Sequence, residues 1–209
     1  MTTLIVDIET AAQQLDVEQI AYLGDKVNEA ALHPITGQVA CIGVQSLTTG
    51  FIRTLANVPR GSYFVSSAPT TCGCEATILR EFWDMAKTAT RIVTFNGRAF
   101  DIPFMVMRSA MLGVPVTKRN LLGYRYSVDP HCDLLDQLTW YGATRRFSLA
   151  MYCKAFGIEN PKGECSGADV PKMFVDGRHA EIAEYNLRDV RATAALYKVW
   201  LERISSGVK

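Results

Sequence analysis

The sequence has no apolar run approaching the roughly 20 residues that a membrane-spanning helix needs, so no membrane partner is expected. It has no charge imbalance either. With 22 Lys and Arg against 21 Asp and Glu, the net charge is +1. No global field therefore steers the chain to nucleic acid or lipid, and such a partner has to be held by a local patch. The N-terminus lacks a basic flank followed by a cleavage site and enters a strand pattern almost at once, which gives no sign of a signal peptide. The six cysteines, Cys41, Cys72, Cys74, Cys132, Cys153 and Cys165, are scattered. Reduced thiols and a cytoplasmic location are the expectation. Only Cys72 and Cys74 lie close together. Even with His131 and Cys132 counted, no second C-x₂-C or H-x₃-H half exists, which argues against structural zinc. Internal repeats and low-complexity tracts are absent.

What is present is enough apolar material for one core: 48% of 209 residues are hydrophobic. The length suits a single domain spanning 1–209. Strands are expected at 4–10, at 38–47 and at 51–55, with the turns His33 to Gly37 and Thr48 to Gly50 between them. A polar, acidic, partly helical insertion occupies about 11–35. The stretch 57–73 reads as a loop holding at most a short strand at 63–65. From Glu75 to Lys87, Ile78, Leu79, Phe82, Trp83 and Ala86 fall on one helical face. A strand at 91–95 ends at Asn96-Gly97, and a helix follows from about Ile102 to Leu112. His131 to Leu138 reads as a short strand leading into a helix. Ser148 caps a helix that Gly157 closes. The residues 160–170 form a loop, and the longest helix runs from about His179 to Ile204. This order implies an α/β fold, a mixed sheet with helices on its faces.

Within the first strand, Leu4-Ile5-Val6-Asp7-Ile8-Glu9-Thr10, two carboxylates interrupt an apolar run. Side chains alternate along a strand, so Asp7 and Glu9 share a face with Cα atoms about 6.6 Å apart. Either this is a wet edge strand or a positive charge sits between them. A divalent cation that prefers oxygen ligands would serve. The last helix bears on the choice. At about 100° per residue, Ile182, Tyr185, Asp189, Thr193, Leu196 and Trp200 form one stripe. Asp189 thus lies on the face that packs on the sheet, where an unpaired carboxylate is costly. An Asp–Arg pair is the ordinary alternative, but Arg188 and Arg191 point elsewhere on the helix. Asp101 precedes Ile102-Pro103 and reads as an N-cap, yet it also ends a strand–loop–helix unit, where such sheets place functional groups. Four carboxylates from three elements suit two cations that clamp a phosphodiester during in-line displacement. Tyr185, one turn before Asp189, could orient or help deprotonate a water.

These residues resemble a known family. Asp7-Ile8-Glu9-Thr10, then Phe95-Asn96-Gly97-Arg98-Ala99-Phe100-Asp101, then Tyr185-x₃-Asp189 look like the three motifs of DEDD-superfamily 3′–5′ exonucleases, tyrosine subclass. They are similar to stand-alone exonucleases that resemble the proofreading domain of family B DNA polymerases. Further matches are His33-Pro34 through Ile42-Gly43, Glu75 through Phe82-Trp83, His131 through Leu134, Ser148-Leu149, and Gly167 through Phe174. The resemblance implies a ribonuclease H-like fold and two Mg²⁺ or Mn²⁺ ions. Asp7, Glu9 and Asp189 would hold the first ion; Asp7 would bridge to the second, with Asp101 nearby. Tyr185 and Glu9 would position water. Thr10 would meet the 3′ end, and Asn96 and Phe100 the last nucleotides. The implied substrate is nucleic acid with a free 3′ end, single-stranded DNA favoured over RNA, which would be shortened to nucleoside monophosphates. An exoribonuclease and a non-catalytic nucleic-acid-binding domain on the same fold are the rivals; an endonuclease or integrase of the ribonuclease H type would explain the acids but not Tyr185. The acidic segment after Thr10 matches no motif. The family's Gly-Lys loop appears here as Pro161-Lys162-Gly163, with Lys162 as the phosphate contact. Arg145-Arg146 reads as a solvated basic turn or a phosphate contact. Asp133 and Asp136 read as acceptors of backbone hydrogen bonds.

Overall fold

The computed structural model describes residues 2–160 and 166–205. Among the described residues, six strands form one mixed sheet in the order β4-β3-β2-β1-β5-β6. The strands are β1 (Thr3–Ala12), β2 (Gly37–Ser46), β3 (Ile52–Asn57), β4 (Thr70–Gly73), β5 (Arg91–Thr94) and β6 (His131–Asp133). β1 lies inside the sheet, antiparallel to β2 and parallel to β5. Its burial on both faces explains its nearly unbroken apolar run.

Alternate residues of β1 enter different cores. Leu4, Val6 and Ile8 pack under α2 (Glu75–Thr88) and α3 (Asp101–Met111), with Phe82, Trp83, Ile102 and Phe104. Ile5 faces the opposite layer, with Val190, Leu196 and Trp200 of α7 (His179–Arg203). α4 (Leu134–Leu138), α5 (Leu149–Phe156) and α6 (Val170–Val175) complete that layer. After β1 the chain forms α1 (Val17–Leu23), which buries no residue, and a 3₁₀ segment, Gly24–Leu32.

Three expectations change. Residues 63–65 are not a strand; the extra strand is β4, which pairs parallel to β3. Its four residues, Thr70–Gly73, carry too little apolar signal to be seen in sequence. α6 follows directly on the stretch read as loop and begins with Pro in its first turn. Asp101 is the first residue of α3 rather than its cap, which is Phe100.

One buried ion pair locks α2, α3 and β2 together. Arg108 donates to both carboxylate oxygens of Glu75, at 2.8 and 2.6 Å. Glu75 also accepts from the Val39 amide at 2.8 Å, and Arg108 donates to the Pro34 carbonyl at 3.0 Å. Removing one partner strands a buried charge. Arg108→Ala is expected to cost about 3–5 kcal/mol in urea unfolding. The double variant Arg108→Met, Glu75→Gln, which leaves no charge behind, is expected to cost less.

Candidate active site

Asp7 and Glu9 lie on the α7 face of β1, between Ile5 of one apolar cluster and Ala11 of another. On α7 the same interruption recurs. Ile182 and Tyr185 belong to the cluster around Ala11, Val190 and Leu196 to that around Ile5, and Asn186 and Asp189 fall between. One carboxylate oxygen each of Asp7, Glu9 and Asp189 lie within 4.8 Å of one another. Just beyond Glu9 the β1–β2 register shifts, so Thr10 pairs with Val39 while Glu9 pairs with Cys41. Such a bulge re-aims side chains next to a site.

The close approach of α7 depends on Gly43, which pairs with Asp7 across β2. A Cβ at that position would lie 2.1 Å from Asn186 Oδ1 and 2.7 Å from Val190 Cγ2. Fully buried Asn186 donates from Nδ2 to Asp7 Oδ2 at 2.8 Å, and the Cys41 thiol meets its Oδ1 at 3.7 Å. Neither Asn186 nor the need for glycine at 43 was assigned a role from sequence. Asn186 sits one position off the stripe read for Tyr185 and Asp189, which is the signal that could have found it.

Electrostatics oppose this arrangement. Burial raises the Asp7 carboxyl well above its usual range, and Asp101, Glu9 and Asp189 raise it further; the Asn186 hydrogen bond offsets part of this. Glu9 is raised by burial, then by Asp189 and Asp101. Burial pushes Asp101 up to about 7, against its hydrogen bond from the Ile8 amide at 3.1 Å. The Tyr185 phenol is raised by burial, then by Asp189, Glu9 and Asp7. The Cys41 thiol is also raised, first by burial and then by Glu9 and Asp7. A cluster of carboxylate oxygens, with no imidazole or thiolate among the grouped atoms, fits a hard divalent cation.

Asp101 is electrostatically coupled to Asp7 and Glu9 but stands outside the three-carboxylate group, and its carboxylate is anchored to the Ile8 amide. Tyr185 is buried; a Cβ on Gly167 would lie 3.8 Å from its hydroxyl. Thr10 is buried and Asn96 half-buried. Asn96 holds φ 64°, with its amide on Asp133 Oδ1 at 2.9 Å. Phe100 is half-buried against the core, its ring 5.5 Å from Phe104, so packing uses part of its surface. Lys162 lies outside the described residues. Asp133 does accept backbone amides, those of Asn96, Arg98, Leu135 and Asp136. Asp136 instead pairs with guanidiniums, Arg125 at 2.6 Å and Arg146 at 3.2 Å, so Arg146 is not merely solvated. Arg145 lies over the Phe147 ring at 5.4 Å.

A family model described as a predicted 3′–5′ exonuclease related to the exonuclease domain of PolB matches residues 52–205. The chain belongs to this family. The match begins on β3, so Asp7 and Glu9 precede it, while Asp101, Tyr185 and Asp189 fall within it. The chain is 26% identical over 178 residues to the catalytic subunit of DNA polymerase epsilon from Aspergillus fumigatus, covering 78% of this chain and 8% of that protein. It is also similar to the structure of a family B DNA polymerase from Pyrobaculum calidifontis. There the TM-score is 0.69 at 22% identity, over 96% of this chain and 24% of that one. The chain thus spans only a small part of either polymerase. The likeness bears out the α/β, ribonuclease H-like fold with its mixed sheet.

The burial of Asp101 has a pH signature. Between the ordinary value of 3.8 and about 7, folded Asp101 keeps a proton that the unfolded chain has lost. Folding stability therefore falls as pH rises through that window. Metal-free protein in EDTA is expected to melt at a lower temperature at pH 7.5 than at pH 5. Mg²⁺ or Mn²⁺ should raise the melting temperature more at pH 7.5, where a cation meets charged carboxylates. Calorimetric scans with and without metal check both.

Proposed function

We propose that the protein is a divalent-cation-dependent 3′–5′ exonuclease of the tyrosine subclass. It shortens single-stranded DNA from its 3′ end and releases nucleoside monophosphates. The observation that carries this reading is the convergence of Asp7, Glu9 and Asp189 within 4.8 Å. Carboxylate oxygens grouped this closely suit a hard divalent cation, and family membership supports a nuclease use for it.

Asp7, Glu9 and Asp189 would hold one Mg²⁺ or Mn²⁺, and Asp7 with Asp101 a second. The bound ions supply charge neutralisation and Lewis acidity at the scissile phosphodiester. Asn186 holds Asp7 in position through its 2.8 Å hydrogen bond. Tyr185 orients the attacking water with Glu9. A phenol is protonated at neutral pH, so Tyr185 acts through a hydrogen bond. Thr10 meets the terminal nucleotide, Asn96 and the exposed part of Phe100 contact the last bases, and Lys162 touches a phosphate.

With Mg²⁺ or Mn²⁺, a 5′-labelled DNA oligonucleotide should shorten stepwise, while a 3′-labelled one releases its label at once. Asp7→Ala should abolish both. Tyr185→Phe should lower kcat by about 10²-fold with little change in KM. A 5′-labelled strand that stays intact, in protein indistinguishable from Asp7→Ala, overturns the reading. Faster degradation of matched RNA would make the protein an exoribonuclease instead.

A further inference from the structure

Beyond the edge strand β6 lies a surface that the nuclease reading leaves unused. Tyr124, Tyr126 and Trp140 are 75%, 58% and 51% exposed. Three exposed large aromatics on one stretch of surface are unusual for a solvated face. Their rings are ordered against one another. Tyr124 meets Tyr126 edge-on at 5.4 Å, and Tyr126 meets Tyr141 at 4.5 Å. The Tyr141 hydroxyl donates to the Tyr126 carbonyl at 3.2 Å and accepts from Gln137 at 2.9 Å. The backbone presenting Trp140 and Tyr141 is strained: their φ values are 47° and 60°, a region that bulky residues avoid. Beside them opens a cleft of about 390 Å³, lined by Tyr126, Trp140, Tyr141, Trp200 and Arg91 among others.

The charge here is positive. Arg98, Arg125 and Arg146 all converge on the single carboxylate of Asp136, at 3.9, 2.6 and 3.2 Å. Counting Asp133 beside Asp136, the three guanidiniums leave one surplus positive charge. The side chains of Arg125 and Arg146 remain 45% and 46% exposed. Asp133 is turned inward onto backbone amides, and Asp129 is engaged by Arg91 at 2.7 Å. The surface is also tied to the active site. The Asn96 and Arg98 amides share Asp133, and Arg98 donates to the Gly123 carbonyl at 3.2 Å, just before Tyr124. Along α7, Trp200 stands about 16 Å from Asp189 at 1.5 Å per residue.

We propose that this edge is a binding track for single-stranded nucleic acid, separate from the carboxylate centre. Unpaired bases stack on Tyr124, Tyr126 and Trp140, one of them entering the cleft beside Trp200, while phosphates meet Arg125 and Arg146. Its role as the path of the strand upstream of the 3′ end rests on the nuclease reading; the stacking itself does not. Duplex DNA fits poorly, because its bases are already stacked on one another. The track suits a chain whose net charge of +1 provides no global attraction.

The test is fluorescence anisotropy in EDTA, where nothing is cleaved, with a fluorescein-labelled thymidine oligonucleotide of about 16 residues, a labelled dinucleotide, and a blunt duplex. Wild type should bind the long strand far better than the dinucleotide. Trp140→Ala and Tyr126→Ala should each weaken the long strand by about tenfold and leave the dinucleotide unchanged. Arg125→Gln should reduce the salt dependence of binding to the long strand. With Mg²⁺, both aromatic variants should raise KM on the long strand without lowering kcat. Because Trp140 sits on strained backbone, Tyr126→Ala decides the matter if Trp140→Ala fails to fold. Wild-type-like binding by a folded Tyr126→Ala overturns the track, as does duplex binding equal to single-strand binding with the same loss in the variants. If wild type cleaves nothing but the variants still lose the long strand, the track stands and the nuclease reading falls.

Discussion

Three carboxylates held within 4.8 Å in a largely buried position set the terms for this fold. An isolated buried charge costs several kcal/mol, and like charges at that distance cost more. The chain reaches the arrangement through rigid neighbours. β1 is locked between two strands, so Asp7 and Glu9 cannot swing away. α7 is pressed onto the sheet over Gly43, where β2 carries no side chain opposite Asp7. Asn186 occupies that gap and sets a neutral hydrogen-bond donor against Asp7, among neighbours that otherwise repel it.

The two faces of the sheet divide the work. The α2–α3 face carries one continuous apolar cluster, pinned by the Arg108–Glu75 pair and by the Trp83 indole on Ser109 at 2.8 Å. The α7 face is split into two clusters with the polar residues between them. Both faces are well packed, and on the α7 side the apolar residues part around the charged ones. The loop and helix around β6 form a third region, where Asp133 and Asp136 serve as anchor points for backbone amides and arginines. It links the turn at Asn96 to the exposed tyrosines through Asp133, Arg98 and Gly123.

Much of this was legible in the sequence because it rests on periodicity. Alternation put Asp7 and Glu9 on one face of β1, and the helical stripe put Asp189 and Tyr185 opposite them. Both follow from local backbone geometry. What periodicity does not carry is pairing. β4 has too few residues to show a pattern, and it exists because β3 offers a parallel edge. Asp101 looks like a cap from its neighbours in sequence, yet its carboxylate bonds to Ile8, 93 residues away. Asp136 looks like a backbone acceptor, but guanidiniums from both sides of it in the chain reach it first.

By itself the sequence determined which residue types alternate onto which face: the acidic pair on the first strand, the acid and tyrosine on the last helix, and the apolar stripes that bury both. Tertiary structure alone decided how close those faces come. That distance depends on Gly43 and Asn186, which meet only when α7 crosses β2. It also decided that Tyr124, Tyr126 and Trp140 share a surface with three arginines gathered on Asp136. Side-chain direction is a local property of the chain, whereas the approach of distant elements depends on packing that no short stretch encodes.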